Sequence, residues 1–168
     1  MIHIAESRPE YNLVLIGAED EAFQRSRLHK LDNVHFLGFK PMDEVPAYLH
    51  YFDVCLNPQT INPVTIGNYP LKIDEYLAAG KPVVATHTRA MEYFKEYVYL
   101  ADSKDLFVSF IDLALEENGP ELTAMRQVFA NSHSWEENAR QIYRAINQKR
   151  SVKKEKKEVV LEKVLVKQ

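Results

Sequence analysis

The chain has 168 residues, 46% of them hydrophobic, enough for one domain with a buried core. A formal net charge of −3 gives no basic footprint for nucleic acid, and a single cysteine excludes an internal disulfide framework and a multi-cysteine metal site. No apolar run approaches the roughly 18 residues that cross a bilayer, and the opening MIHIAESRPEY lacks the basic and apolar regions of a signal peptide. The expected setting is therefore cytoplasmic, with peripheral membrane association left open.

Strands and helices alternate along the chain. Tyr11–Gly17, YNLVLIG, is a nearly continuous apolar run, as in a parallel strand covered on both faces. Glu19–Leu31 is charged, with Phe23, Leu28 and Leu31 interspersed, and suits a surface helix. Asn33–Phe39 reads as a second strand, Pro41–Tyr51 as a second helix and Asp53–Pro58 as a third strand containing a buried Cys55. Gln59–Tyr69, rich in Asn, Thr and Pro, is a long loop. A helix opening at Pro70 and the strand PVVAT follow, then a short helical segment around Ala90–Tyr97 and a fifth strand at VYLA. Ser103 is a good N-cap for a helix over Lys104–Asn118. After Gly119-Pro120, further helix is expected over Glu121–Ser132 and Trp135–Lys149, with Trp135 as a packing anchor and Tyr48, Tyr51 and Phe52 as core.

Repeated strand–helix units of this length imply an α/β fold: a Rossmann-like parallel sheet with helices on both faces and a helical C-terminal end. Ligands in such sheets bind on the loops leaving the carboxyl ends of strands. The loops after Phe39, Pro58 and Thr86 are thus the candidate site, and Gln59–Tyr69 is the best of them, because long structureless loops are usually functional.

The run PLKIDEYLAAGKPVVAT, Pro70–Thr86, is the most specific in the chain. Pro70 suits the first turn of a helix, Gly80 a left-handed C-terminal cap, and Pro82 bars continuation. Lys72 and Glu75, three residues apart, share a face at the helix start and could hold a phosphate and a sugar hydroxyl together. The six histidines form no metal-ligand spacing; His87, just after a strand end, is the one placed to face a pocket. Residues 151–168, six lysines and three glutamates among Val and Leu, form a distinct charged segment without a clean helical period, expected to be a flexible tail after a domain at 1–150.

NVHFLGF, PMDEVPAYLHYFDVCLNP and PLKIDEYLAAGKPVVAT, in that order, resemble the C-terminal domain of GT-B glycosyltransferases over about residues 1–148. The resemblance implies a nucleotide-sugar (donor) binding half, acting in the transfer of a sugar from a nucleoside diphosphate sugar to an acceptor hydroxyl. It implies no resident cofactor and no metal, the nucleotide sugar being substrate. Glu75 matches the glutamate that accepts hydrogen bonds from the donor ribose, which suits a carboxylate facing a vicinal diol. Lys72 matches a position facing the diphosphate, aided by the helix start at Tyr69, Pro70 and Leu71. Phe39 and Lys40, with Pro41, match the loop bordering the base; Asn57, Pro58 and Thr65 match that bordering phosphates and sugar.

Two departures accompany the match. Gly67 stands eight positions before Glu75, where many retaining members carry a second glutamate. The opening IHIAESRPEY resembles the end of the family's first helix, so the first strand, its glycine turn and the acceptor half are expected to be missing. No residue is assigned as catalytic. An alternative is a non-catalytic nucleotide-binding or assembly module, completed by a separate chain carrying the acceptor domain. A sugar-nucleotide epimerase is disfavoured, since Gln59–Tyr69 holds no Asp, Glu or His.

Overall fold

A computed structural model describes residues 1–132 and 134–149; the charged segment 151–168 lies outside the described residues. The chain divides into two compact units, Met1–Ala130 and Asn131–Gln168. The first contains helix α1 (Ile2–Ser7), strand β1 (Leu13–Leu15), helix α2 (Glu21–Gln24), a 3-10 turn (Arg27–Lys30), β2 (Val34–Phe36), α3 (Val45–Tyr51) and β3 (Cys55–Asn57). It continues with α4 (Leu71–Ala78), β4 (Val83–Thr86), a 3-10 turn (Met91–Phe94), β5 (Tyr99–Ala101), α5 (Lys104–Glu117) and α6 (Pro120–Asn131). In the second unit a helix, α7, covers 135–149, where Glu137 pairs with Arg140 at 3.2 Å and Arg144 at 3.4 Å.

All strand pairs are parallel, in two sheets rather than one: β1–β2, and β3–β4–β5. β4 is central to its sheet, and Val83, Val84 and Ala85 are fully buried. Alternation along β4 sends Val83 and Ala85 to a core shared with Ile73, Leu77, Met91 and Phe94, and Val84 to one shared with Ile4, Phe107 and Ile111. Helices therefore cover both faces, as the strand–helix alternation implies. Ala5, Leu13, Leu28 and Val34 form a third cluster around the smaller sheet. Cys55 is buried as expected, and desolvation pushes its thiol up to about 12.

Side-chain staples fix the N-terminal segment. The Asn33 amide donates to the carbonyls of Ala5, Arg8 and Tyr11 at 3.0–3.2 Å. Arg8 forms a fork with Asp112 of α5, and the Tyr11 hydroxyl donates to the same carboxylate at 3.0 Å. The Arg8 guanidinium holds the Asp112 carboxyl below its usual range.

Several local expectations are revised. The helix expected over Glu19–Leu31 is broken into α2 and the 3-10 turn, because Asp20 caps the Phe23 N–H at 2.7 Å and Ser26 then caps Leu28 at 3.3 Å. A second capping side chain in mid-run restarts the backbone rather than extending it. The helix expected from Pro41 begins at Val45, with Pro46 in its first turn. Pro70 is the N-cap of α4, in extended backbone, one position outside the helix. Tyr51 is 82% exposed and Trp135 83% exposed, so neither is core. Ser103 caps α5 as read, accepting from Leu106 N at 3.1 Å.

Gly80 closes α4 at φ +74°. A Cβ there would lie 2.6 Å from Thr123 Cγ2 of α6, so both conformation and space demand glycine. Its carbonyl accepts from the buried Arg126, whose guanidinium also donates to Asn118 Oδ1 at 2.9 Å. Gly80→Ala should cost about 2–3 kcal/mol, from left-handed strain plus displacement of a β-branched neighbour. Urea denaturation checks this, and a loss under about 0.5 kcal/mol would show that the α4–α6 contact yields freely.

Candidate functional site

α4 forms because its apolar residues recur at helical spacing: Ile73 and Leu77 are fully buried against β4, with Tyr76 and Ala79 packed beside them. Lys72 and Glu75 consequently point to solvent, and neither side chain makes a hydrogen bond or ion pair among the described residues. Leu71 is 60% exposed at the first helical position, whereas Pro70 is buried. Ile73 N–H bonds the Pro70 carbonyl at 2.9 Å, and the Leu71 and Lys72 N–H groups and the positive end of the dipole lie beside a lysine and a carboxylate that make no ion pair.

Tyr69 joins this helix start to the core. Its ring packs 5.3 Å from Phe94 and 6.3 Å from Tyr93, and its hydroxyl donates to Asp74 Oδ2 at 2.8 Å. Burial first, then that carboxylate, push the phenol well above its usual range, so it remains a donor. Sequence reasoning missed Asp74, because its partner lies one turn back in a loop; Tyr-x-x-x-x-Asp across a helix start was the available signal.

The loop between β3 and α4 is internally braced. Thr65 Oγ1 donates to the Thr60 carbonyl at 2.6 Å and accepts from Asn62 N at 2.9 Å. Asn62 Oδ1 accepts from the backbone of Val64 and Thr65, and Gln59 N donates to Thr86 Oγ1 at 2.9 Å. The Thr65 hydroxyl is thus engaged in shaping the loop. Asn57 ends β3, followed by exposed Pro58, and Asn57 Nδ2 is buried with no hydrogen-bond partner, as is Asp74 Oδ1. Orphaned buried polar atoms are rare in folded proteins and mark places where another group can be received.

After β2, Phe39 is 73% exposed, and the Lys40 ammonium lies 5.5 Å from the Tyr48 ring centre. These residues, Asn57–Tyr69 and His87 all follow strand carboxyl ends, the position read from sequence. A cleft of about 240 Å³ at the end of β1, lined by Ile16, Gly17, Asp20, Phe23 and Phe36 among others, contains none of the residues assigned from sequence.

His87 is clamped rather than open to a pocket. Nδ1 lies 2.7 Å from Asp102 Oδ1 after β5, and Nε2 contacts Glu92 of the 3-10 turn. Both carboxylates, Glu92 foremost, raise its pKa above 6.5. A raised folded-state value stabilises fully below the unfolded pKa of about 6.5 and is lost as pH climbs through the folded value. The stability difference between wild type and His87→Asn should therefore be largest near pH 5.5–6.5 and shrink toward pH 9. Thermal midpoints across that range test it; a constant difference would rule out a charged clamp.

A parallel α/β fold with uncommitted polar groups gathered at a helix start beyond strand carboxyl ends belongs to the Rossmann-like class. Solved structures agree at the level of fold. Anabaena HepE, determined with UDP-glucose, matches with a TM-score of 0.67 at 18% identity, over 88% of this chain and 43% of its own. The pneumococcal O-GlcNAc transferase GtfA, determined with UDP and GlcNAc, matches at 0.60 and 15% identity, over 88% of this chain and 31% of its own. The family model described as glycosyl transferases group 1 matches residues 1–115. TuaH of Bacillus subtilis (strain 168), named as a teichuronic acid biosynthesis glycosyltransferase, is 34% identical over 142 residues, covering 78% of this chain and 35% of TuaH. The chain belongs to the group 1 glycosyl transferase family. It spans about a third of the length of that curated relative.

Proposed function

We propose that this chain binds the nucleotide part of a nucleoside diphosphate sugar at the start of α4, as the donor half of a glycosyltransferase. The observation that carries the reading is the pair Lys72 and Glu75, exposed and unengaged on one face of the first turns of α4. The carboxylate of Glu75 accepts from the two ribose hydroxyls. The Lys72 ammonium and first-turn N–H groups meet the diphosphate. Asn57 Nδ2, buried and unpartnered at the end of β3, supplies a further donor toward the same loop. In the transfer, the bond between the sugar anomeric carbon and the diphosphate oxygen breaks as the acceptor oxygen bonds to that carbon. Negative charge then grows on the departing diphosphate, where Lys72 and the helix dipole act most strongly. The acceptor and any base that takes its proton are supplied from elsewhere, since no residue of this site is placed for that role.

Uracil is the base to test first, because HepE and GtfA were each determined with UDP or a UDP-sugar. The name of TuaH, which refers to teichuronic acid biosynthesis, supports an acceptor of the polysaccharide class. NMR titration of the 168-residue chain with UDP should shift the amides of residues 70–75. Absence of any shift at millimolar UDP would overturn the donor-site reading.

A further inference from the structure

Helix α4 opens without a side-chain cap. Pro70, its N-cap, carries no acceptor, and Ile73 at the third helical position cannot reach back as a glutamate or glutamine would. With Ile73 N–H bonded to the Pro70 carbonyl, the N–H groups of Leu71 and Lys72 have no acceptor in the helix itself. Helix ends fray, so an uncapped start keeps a fixed direction only if another contact sets it.

Tyr69 and Asp74 make that contact. Tyr69 directly precedes the cap and Asp74 is the fourth helical residue, the two positions where apolar side chains often meet and set the angle of entry. Here the contact is polar: the Tyr69 hydroxyl donates to Asp74 Oδ2 at 2.8 Å. The Tyr69 ring sits 5.3 Å from that of the fully buried Phe94, so the helix start is tied to the core as well as to its own second turn. Asp74 Oδ1 is buried without a partner, which makes the hydroxyl on Oδ2 the more costly to lose. The stretch before Tyr69, Ile66 to Asn68, is exposed, so Tyr69 is where the loop rejoins the core.

We propose that Asp74 is a positioning residue for the donor: through Tyr69 it aims the Leu71 and Lys72 N–H groups at the diphosphate while leaving them unoccupied. A capping Ser, Thr or Asp would also fix the helix start, but it would bond the amides that phosphate oxygens need. The latch fixes the start without touching those amides, because it joins two side chains. Asp74 follows Lys72 by two residues, about 200° round the helix, so it acts through Tyr69 and not by meeting a ligand held at Lys72. The inference deepens the donor reading of α4 and rests on it.

Titration of variants of the full chain with UDP and with uridine, followed by NMR, tests it. Tyr69→Phe keeps the ring on Phe94 and loses the hydroxyl, whereas Asp74→Ala loses the acceptor. Each should weaken UDP about 5- to 10-fold, as for one hydrogen bond, and uridine less than about 2-fold, since uridine brings no phosphate to the aimed amides. The double variant should bind UDP no more weakly than either single one, because the same contact is lost in all three. Asp74→Asn keeps an acceptor for the hydroxyl and should regain most of the affinity that Asp74→Ala loses. The ligand-free amide shifts of Leu71 and Lys72 should move in Tyr69→Phe and Asp74→Ala and stay near wild type in Asp74→Asn. Three results would each overturn the proposal while the donor site stands: unchanged UDP affinity in Tyr69→Phe or Asp74→Ala, equal losses for UDP and uridine, or Asp74→Asn as weak as Asp74→Ala. Failure of the wild-type chain to bind UDP would overturn the donor reading and this role with it.

Discussion

Glu75→Ala is expected to weaken UDP binding by about 10- to 100-fold while leaving the fold intact. The carboxylate faces solvent on α4 and makes no hydrogen bond or ion pair with another described group, so its removal strands no buried partner. Surface changes of this kind usually alter stability by less than about 0.5 kcal/mol. Its loss in the complex removes two charge-assisted hydrogen bonds to a diol, each worth about 1.5–3 kcal/mol, less the water that replaces them. Glu75→Gln keeps an acceptor oxygen but loses the charge, and should fall between wild type and alanine. Lys72→Ala should weaken UDP more than uridine, since it addresses the phosphates alone. Titrations of UDP and uridine against the three variants separate these contributions. Wild-type affinity in Glu75→Ala would remove the ribose contact, and equal losses for UDP and uridine in Lys72→Ala would remove the phosphate contact.

Phe94→Ala should be the most destabilising single change described for this chain. The ring is fully buried and meets Tyr69 and Tyr93 at 5.3 Å and Phe129 at 6.0 Å. Deleting it forfeits the transfer energy of an aromatic side chain and leaves a cavity among rings that cannot collapse, costing about 3–5 kcal/mol. Against a typical domain stability of about 5–15 kcal/mol, that brings the variant close to unfolding at room temperature. Phe94→Leu, which fills most of the volume, should cost less and keep the fold measurable. Because the ring supports Tyr69 at the start of α4, Phe94→Leu should also weaken UDP binding measurably. Urea denaturation and UDP titration of the leucine variant check both. A stable Phe94→Ala protein with an unchanged urea midpoint would show that this aromatic cluster does not hold the core together.

The features legible in the sequence share a local cause. The order of strands and helices followed from apolar runs and from turn residues acting on their immediate neighbours. Ser103 caps α5 and Gly80 takes positive φ as read, because each depends on a few adjacent backbone groups. The Lys72–Glu75 face followed from helical spacing alone. The errors also share a cause. Glu19–Leu31 divided because Ser26 found a nearby amide that competes with helix, a choice periodicity does not express. Near-helical spacing with Tyr48 and Phe52 points Tyr51 to the core, and Trp135 reads as a packing anchor, yet both are exposed, because exposure depends on which neighbours arrive.

At the site, local sequence is enough to place the helix start, its cap glycine and the shared face of Lys72 and Glu75. These are set within one or two turns of chain, where spacing equals geometry. Packing between elements is what latches Tyr69 onto Asp74 and Phe94, holds His87 between Glu92 and Asp102, and leaves Asn57 with an unsatisfied buried nitrogen. It also decided that the sheet is divided between β1 and β3. Each of these depends on groups brought together from separate elements, and hydrogen-bond partners, burial and strand edges exist only once those elements have packed.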